Sequence, residues 1–143
     1  MKLVECVPNF SEGRDRNILD AIAAAITSVE GVCLLDVDPG AATNRTVVTF
    51  VGPIEAAEQA AFLAVKEAAA RIDMRRHTGA HARMGATDVC PFVPLGETTM
   101  AECVAIARRL GRRIGDELGI PVYLYEEAAA TPARRSLADI RRG

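Results

Sequence analysis

The side chains best suited to chemistry are gathered between Arg75 and Pro94, in the stretch RRHTGAHARMGATDVCPFVP. Both histidines of the chain, His77 and His81, stand there four residues apart, with Arg75 and Arg76 before them and Arg83 after. An imidazole titrates close to neutrality, so it can take a proton and return it at physiological pH. A guanidinium nearby grips a carboxylate through paired N–H bonds. Glycines at 79 and 85 break any regular element, and a connection so rich in titratable groups is a poor core and a good site. The i, i+4 spacing of the histidines also fits a zinc-type pair. Gly79 between them disfavours the helix such a pair needs and no third ligand accompanies them, so no metal is expected. Cys90 follows in the apolar run Val89–Val93. It reads as core, because no neighbour in sequence would lower its pKa.

Ordinary elements must position this segment. Leu3–Val7 reads as a strand ended by Pro8-Asn9, and Phe10–Gly13 as a turn. Ile18, Leu19, Ile22, Ile26 and Val29 paint one face of a helix that Gly31 stops. Val32–Val37 is a buried strand broken by Asp38-Pro39-Gly40. Arg45–Val51, rich in β-branched residues, pairs with it as a hairpin. Gly52-Pro53 opens an alanine-rich helix with a stripe from Ile54 to Ile72. After the strand at Val89–Val93, Thr99-x-x-Glu102 is a capping box and starts a third helix that Gly119 ends. Pro121–Tyr125 reads as a strand, and Thr131-Pro132 opens a last, Arg-rich helix. The order β-α-β-β-α-β, then α-β and a helix, predicts an α+β, ferredoxin-like (split β-α-β) mixed sheet with helices packed on one face. The other face then needs a cover: a partner sheet, a second domain or a ligand.

Composition sets outer bounds. A chain of 143 residues suits one domain spanning 1–143. Half of its residues are apolar, a quarter are charged and the net charge is −2. That balance gives no general electrostatic reason to expect nucleic acid or a membrane surface. The apolar runs are too short to span a bilayer, and the N-terminus lacks the apolar core of a signal peptide. The cysteines at 6, 33, 90 and 103 are widely spaced and predict buried, reduced thiols in a cytoplasmic protein.

Several stretches closely resemble the N-terminal subdomain of the glutamate formiminotransferase family. They are LVECVPNFSEG from Leu3, LLDVD from Leu34, TNRT from Thr43 and HARMGATDVCPF from His81. PVYLY from Pro121 and the terminal Ser136-Leu137-x-x-Ile140-Arg141 extend the similarity along the chain. The resemblance implies transfer of a formimino group from N-formimino-L-glutamate to the N5 nitrogen of tetrahydrofolate, in histidine breakdown. Tetrahydrofolate would serve as co-substrate. The family pairs two similar subdomains whose sheets face each other across folate. The resemblance puts the catalytic histidine on His81. A carboxylate should orient that ring, and Asp38, beside the Pro39-Gly40 turn, is the candidate. Arg83, Arg45 and Arg75 are candidate anchors for the substrate carboxylates, and Asn44 is a further candidate at the hairpin turn, which its side chain can also fix.

Two positions depart from the family pattern: Ala82 stands where proline is usual after the catalytic histidine, and Glu126 where glycine is common. The resemblance also ends near the seam between the two subdomains. The expected partner is therefore a second formiminotransferase subdomain or a second copy of this chain, as a homodimer. A different class remains open at this point, a non-catalytic folate- or amino-acid-binding or assembly module derived from the subdomain.

Overall fold

Between Arg45 and Gly52 every second side chain is buried, with Thr46 and Phe50 fully so and Val48 nearly so. A period of two with one face buried and the other half-exposed is the mark of a strand lying over a core. The computed structural model describes residues 2–72, 86–120 and 122. Its strands are β1 (Lys2–Cys6), β2 (Asn9–Phe10), β3 (Cys33–Gly40), β4 (Arg45–Pro53), β5 (Thr87–Val89) and β6 (Phe92–Gly96). Its helices are α1 (Arg16–Thr27), α2 (Ile54–Arg71) and α3 (Met100–Leu118).

β4 is the spine of the sheet. Along one edge it pairs with β3, and along the other with β1 and then β2. β1 pairs in turn with β6, and β2 with β5. Two prolines explain why these outer strands come in pieces. Pro8 separates β1 from β2, and Cys90-Pro91 separates β5 from β6. Proline has no N–H to give a ladder. Both proline carbonyls still accept, Pro8 from the Val48 amide at 3.0 Å and Pro91 from the Val7 amide at 3.1 Å.

The expected mixed sheet is antiparallel at every described pairing. β1 and β3, joined through α1, do run the same way, but β4 lies between them and opposes both. The β3–β4 hairpin is as expected, although β3 continues through Pro39 to Gly40. The sequence places Asp38 where its strand breaks, beside the Pro39-Gly40 turn. Asp38 lies instead inside β3, which among the described residues is an edge strand.

The helices form where the apolar spacing places them. Asp15 caps α1 by accepting from the Asn17 amide at 3.0 Å, and Leu19, Ile22 and Ile26 are buried. α2 buries Ala57, Ala60, Ala61, Ala64 and Ala68 together with Phe62 and Val65, and these small side chains let it lie close to β1 and β4. Thr99 and Glu102 form the capping box of α3, and Gly119 ends that helix with φ 68°. Arg113 of α3 stacks over the Phe62 ring, 3.7 Å from its centre, and reaches Gln59. Val4, Cys6, Phe10, Ile22, Ile26, Val48, Phe50 and Ile106 make one continuous core between helices and sheet. None of the described helices is long and apolar enough to cross a membrane.

The opposite sheet face is not uniformly apolar or small. Leu3, Val47, Thr49 and Val51 share it with Glu5, Asp36, Asp38 and Arg45. Cys33, expected to be buried, is exposed there, because its strand lies at the edge of the sheet among the described residues. The strand expected at Pro121–Tyr125 and the last helix fall outside the described residues, apart from Val122.

Two stability outcomes follow from this core. Phe50→Ala removes a fully buried ring from the spine strand and should cost about 3–5 kcal/mol in a urea melt. Burial, followed by the neighbouring Cys90, pushes the Cys6 thiol well above its ordinary pKa, and burial also raises that of Cys103. The unfolded chain then releases these protons at lower pH than the folded chain does. Their contribution is full below roughly pH 8.5, where unfolded thiols titrate, and is lost as pH rises towards the folded values. Unfolding free energy measured from pH 7 to 10 should therefore fall, and Cys6→Ala should flatten that slope more than Cys103→Ala does.

Candidate functional site

Three stretches far apart in sequence meet at one end of the spine strand. The first is the turn Ser11–Gly13. A Cβ built on Gly13 would stand 2.3 Å from the Gly40 carbonyl oxygen and 2.6 Å from the Arg45 nitrogen, so only glycine lets this backbone lie against the hairpin. The Gly13 amide donates to Asn44 Oδ1 at 2.9 Å, and the Thr46 hydroxyl donates to the Glu12 carbonyl. Arg14 Nε reaches the Ala41 carbonyl at 2.8 Å. Asn44 has φ 51°, a left-handed conformation that asparagine tolerates better than most residues. The second stretch is therefore the hairpin end, residues 41–46, clamped by the first. The third is Ala86–Val89. The Ser11 amide donates to the Ala86 carbonyl at 2.8 Å, and β5 pairs Val89 with Asn9.

On the half-exposed sheet face, Asp38, Pro39, Gly40, Thr43, Arg45 and Val47 line a cleft of about 300 Å³. Asp38 and Val47 are register partners, as are Gly40 and Arg45, so alternation brings these side chains to one face. Asn9, paired with Val47, lies on the same face and is buried. Its Oδ1 accepts from Arg45 Nε at 3.0 Å and from Nη2 at 2.7 Å, while its Nδ2 donates to the Val7 carbonyl at 3.1 Å. One neutral amide thus fixes one edge of the guanidinium. Among the described residues Arg45 pairs with no carboxylate, so its charge is held in place and left uncompensated, which suits an incoming anion. The exposed Asp38 carboxylate shares the cleft and is available as an acceptor.

Of the residues expected from sequence, Asp38 and Arg45 come together in this cleft. Asn44 is buried at the turn, where it accepts from Gly13. His81, His77, Arg75 and Arg83 lie outside the described residues. Among the described residues no cluster of three metal-ligating side chains is present. The sequence reading missed Asn9 and Gly13. Pro8-Asn9 was read as the end of a strand, and nothing in the local pattern says that its amide reaches a residue 36 positions away.

The clamp and the cleft should fail together. Gly13→Ala forces backbone apart and should cost about 1–3 kcal/mol, as overpacking does. Asn44→Ala leaves the buried Gly13 N–H without that acceptor and should cost a similar amount, about 1–3 kcal/mol. In both variants amide hydrogen exchange should quicken at position 13 and at Arg45 while the α3 amides keep their protection. Unchanged exchange at Gly13 in Asn44→Ala would show that the amide does not depend on this partner.

Comparison with known proteins supplies the family. Residues 3–143 match the model of the formiminotransferase domain, N-terminal subdomain. The chain is 57% identical over 141 residues to the glutamate formimidoyltransferase of Thermoplasma acidophilum, covering 99% of this chain and 46% of that protein. It is 50% identical over 142 residues to the glutamate formimidoyltransferase of Streptococcus pyogenes, covering 99% of this chain and 48% of the relative. It is 56% identical over 142 residues to the formimidoyltransferase-cyclodeaminase of Dictyostelium discoideum, covering 99% of this chain and 26% of that protein. The chain therefore spans about half the length of the first two relatives and about a quarter of the third. It belongs to the formiminotransferase family, as the N-terminal subdomain.

Proposed function

We propose that residues 1–143 form one wall of a cytoplasmic glutamate formimidoyltransferase. It moves the formimino group of N-formimino-L-glutamate to N5 of tetrahydrofolate, which acts as co-substrate without a metal. The observation that carries this reading is the identity of 50–57% to formimidoyltransferases over essentially the whole chain, a span that includes both the cleft residues and the 75–94 segment. The fold we assign is the ferredoxin-like split β-α-β. In its support, with each proline-broken pair counted as one strand, the sheet order is last, first, third, second, and every pairing is antiparallel.

Each group has a role that its chemistry suits. The N5 lone pair attacks the amidine carbon, and the His81 imidazole takes the proton that N5 loses. The bond from that carbon to the glutamate nitrogen then breaks, and His81 returns the proton to the leaving nitrogen. Asp38 orients the ring and stabilises its protonated form. Arg45, aimed by Asn9, grips a substrate carboxylate; Arg83 and Arg75 supply further cationic contacts, and Asn44 holds the turn that keeps Arg45 in place. The half-exposed sheet face is the one a second formiminotransferase subdomain, or a second copy of this chain in a homodimer, would cover. Closing that face excludes water and aligns two substrates, which supplies much of the rate of such a transfer.

Glutamate release by the chain mixed with a second-subdomain protein tests this reading. His81→Ala should lower turnover by about two to four orders of magnitude with folate affinity nearly unchanged, and His77→Ala should cost far less. Arg45→Gln should raise KM for the formimino donor about ten- to a hundredfold, with a smaller effect on kcat. Activity should climb steeply and saturably as the second subdomain is added. Turnover that ignores His81→Ala would remove the catalytic assignment.

A further inference from the structure

Two thiols outside the cleft stand in contact. Cys6 Sγ and Cys90 Sγ are 3.6 Å apart, although the residues are 84 positions apart in sequence. Cys6 ends β1 and has no exposed surface, whereas Cys90 is half-buried in the break between β5 and β6. Among the described residues no other cysteine pair is in contact: Cys33 is exposed on the edge strand and Cys103 is buried in α3. The backbone around the pair is already held, by the Val7 amide on the Pro91 carbonyl and by the register pair of Cys6 with Phe92. We propose that Cys6 and Cys90 are an oxidation site, a dithiol that a hydroperoxide converts to an intramolecular disulfide stapling β1 to the β5–β6 break.

The geometry needs little change. A disulfide brings two sulfurs to about 2.05 Å, so they must close by roughly 1.5 Å. Cys90 sits outside the strand ladders, where side-chain rotation and a small backbone adjustment meet least resistance. The chemistry divides between the two thiols by access. Cys90 is half-buried and Cys6 fully buried, so Cys90 is the more accessible of the two to a peroxide. Its thiolate attacks one peroxide oxygen, the O–O bond breaks, and the departing oxyanion takes up a proton, leaving Cys90 as a sulfenic acid. Cys6 Sγ then attacks the Cys90 sulfur, the S–O bond breaks, and the Cys6 proton leaves with the displaced hydroxide as water. Two thiols are oxidised, one O–O bond is reduced, and with hydrogen peroxide two waters form. Burial keeps Cys6 protonated at neutral pH, so it stays inert until an activated sulfur stands beside it, and contact then makes closure effectively unimolecular.

The staple would land beside the candidate site. Val89, the residue before Cys90, is the register partner of Asn9, which lies three residues after Cys6 and aims Arg45. Closing so long a loop should also raise stability, since crosslinks over long separations restrict the unfolded chain most.

The test uses the chain carrying Cys33→Ser, which removes the exposed competitor. Hydrogen peroxide treatment should give a monomer lighter by two hydrogens, with peptide mapping joining Cys6 to Cys90 and dithiothreitol reversing both. The thermal midpoint should rise by roughly 5–15 °C. Adding Cys90→Ser should abolish the mass loss and the shift, while Cys103→Ser should leave both. Under native conditions an alkylating agent should modify Cys90 before Cys6. Oxygen addition at Cys90 with no crosslink would overturn the proposal, as would a crosslink to Cys103. A crosslink that lowers the midpoint would do so too, because the native packing would then not accept the bond.

Discussion

The structure around the cleft depends on one close approach of backbone to backbone. Gly13 lies against Gly40 and Arg45 at distances no side chain permits, and its amide is satisfied by Asn44. Everything at this end of the sheet takes its position from that contact. The hairpin cannot swing away from α1, because the turn preceding α1 is bonded to it through Asn44, Thr46 and Ala41. β3 and β4 therefore present Asp38, Arg45 and Val47 at a fixed inclination to Asn9. A looser joint would still fold, since the apolar core lies on the other face of the sheet. It would not hold a guanidinium in one place.

The choice of partner for that guanidinium has an electrostatic consequence. A carboxylate in the position of Asn9 would fix Arg45 equally well, but it would also neutralise it. Attraction for any incoming anion would then have to compete with an internal ion pair. A neutral amide oxygen orients without competing. Burial of Asn9 strengthens the effect, because its own Nδ2 is occupied by the Val7 carbonyl and its orientation is set by the strand rather than by solvent. Asp38 stands in the same cleft without bonding Arg45, so a cation and an anion face one volume and each remains available.

Much of this was legible in the sequence, and the parts that were not share a cause. The spacing of Leu19, Ile22 and Ile26 gave α1 its buried stripe, and Thr99 with Glu102 gave α3 its start, because helices are specified by contacts within a few residues. The β3–β4 hairpin was legible for the same reason. Sheet direction was misjudged because β4 inserts between β1 and β3, a tertiary fact that periodicity does not encode. The apolar neighbours of Cys33 suggest core, but a strand at the edge of the described sheet buries less than its composition suggests. Asp38 and Arg45 were picked out by residue type and turn position. Asn9 escaped because its partner is distant in sequence, and only the fold brings the Pro8 break to the hairpin.

The prolines connect these points. A continuous first strand through residues 7 and 8 would pair along its whole length and keep its alternation. Pro8 withholds a donor, the ladder lapses, and Asn9 re-enters pairing with β4 on one side and β5 on the other. Pro91 produces the matching lapse in the last strand, opposite Val7. The two breaks lie side by side, bridged by the Val7 amide on the Pro91 carbonyl, and form a seam in the sheet. Cys6 and Cys90 meet at that seam, and Asn9 leaves it towards Arg45. A sheet without the seam would be more regular and would not set a buried amide three residues after one of two thiols in contact. The hold of Asn9 on Arg45 thus begins at an irregularity of the sheet, the break that Pro8 makes before Asn9 re-enters pairing.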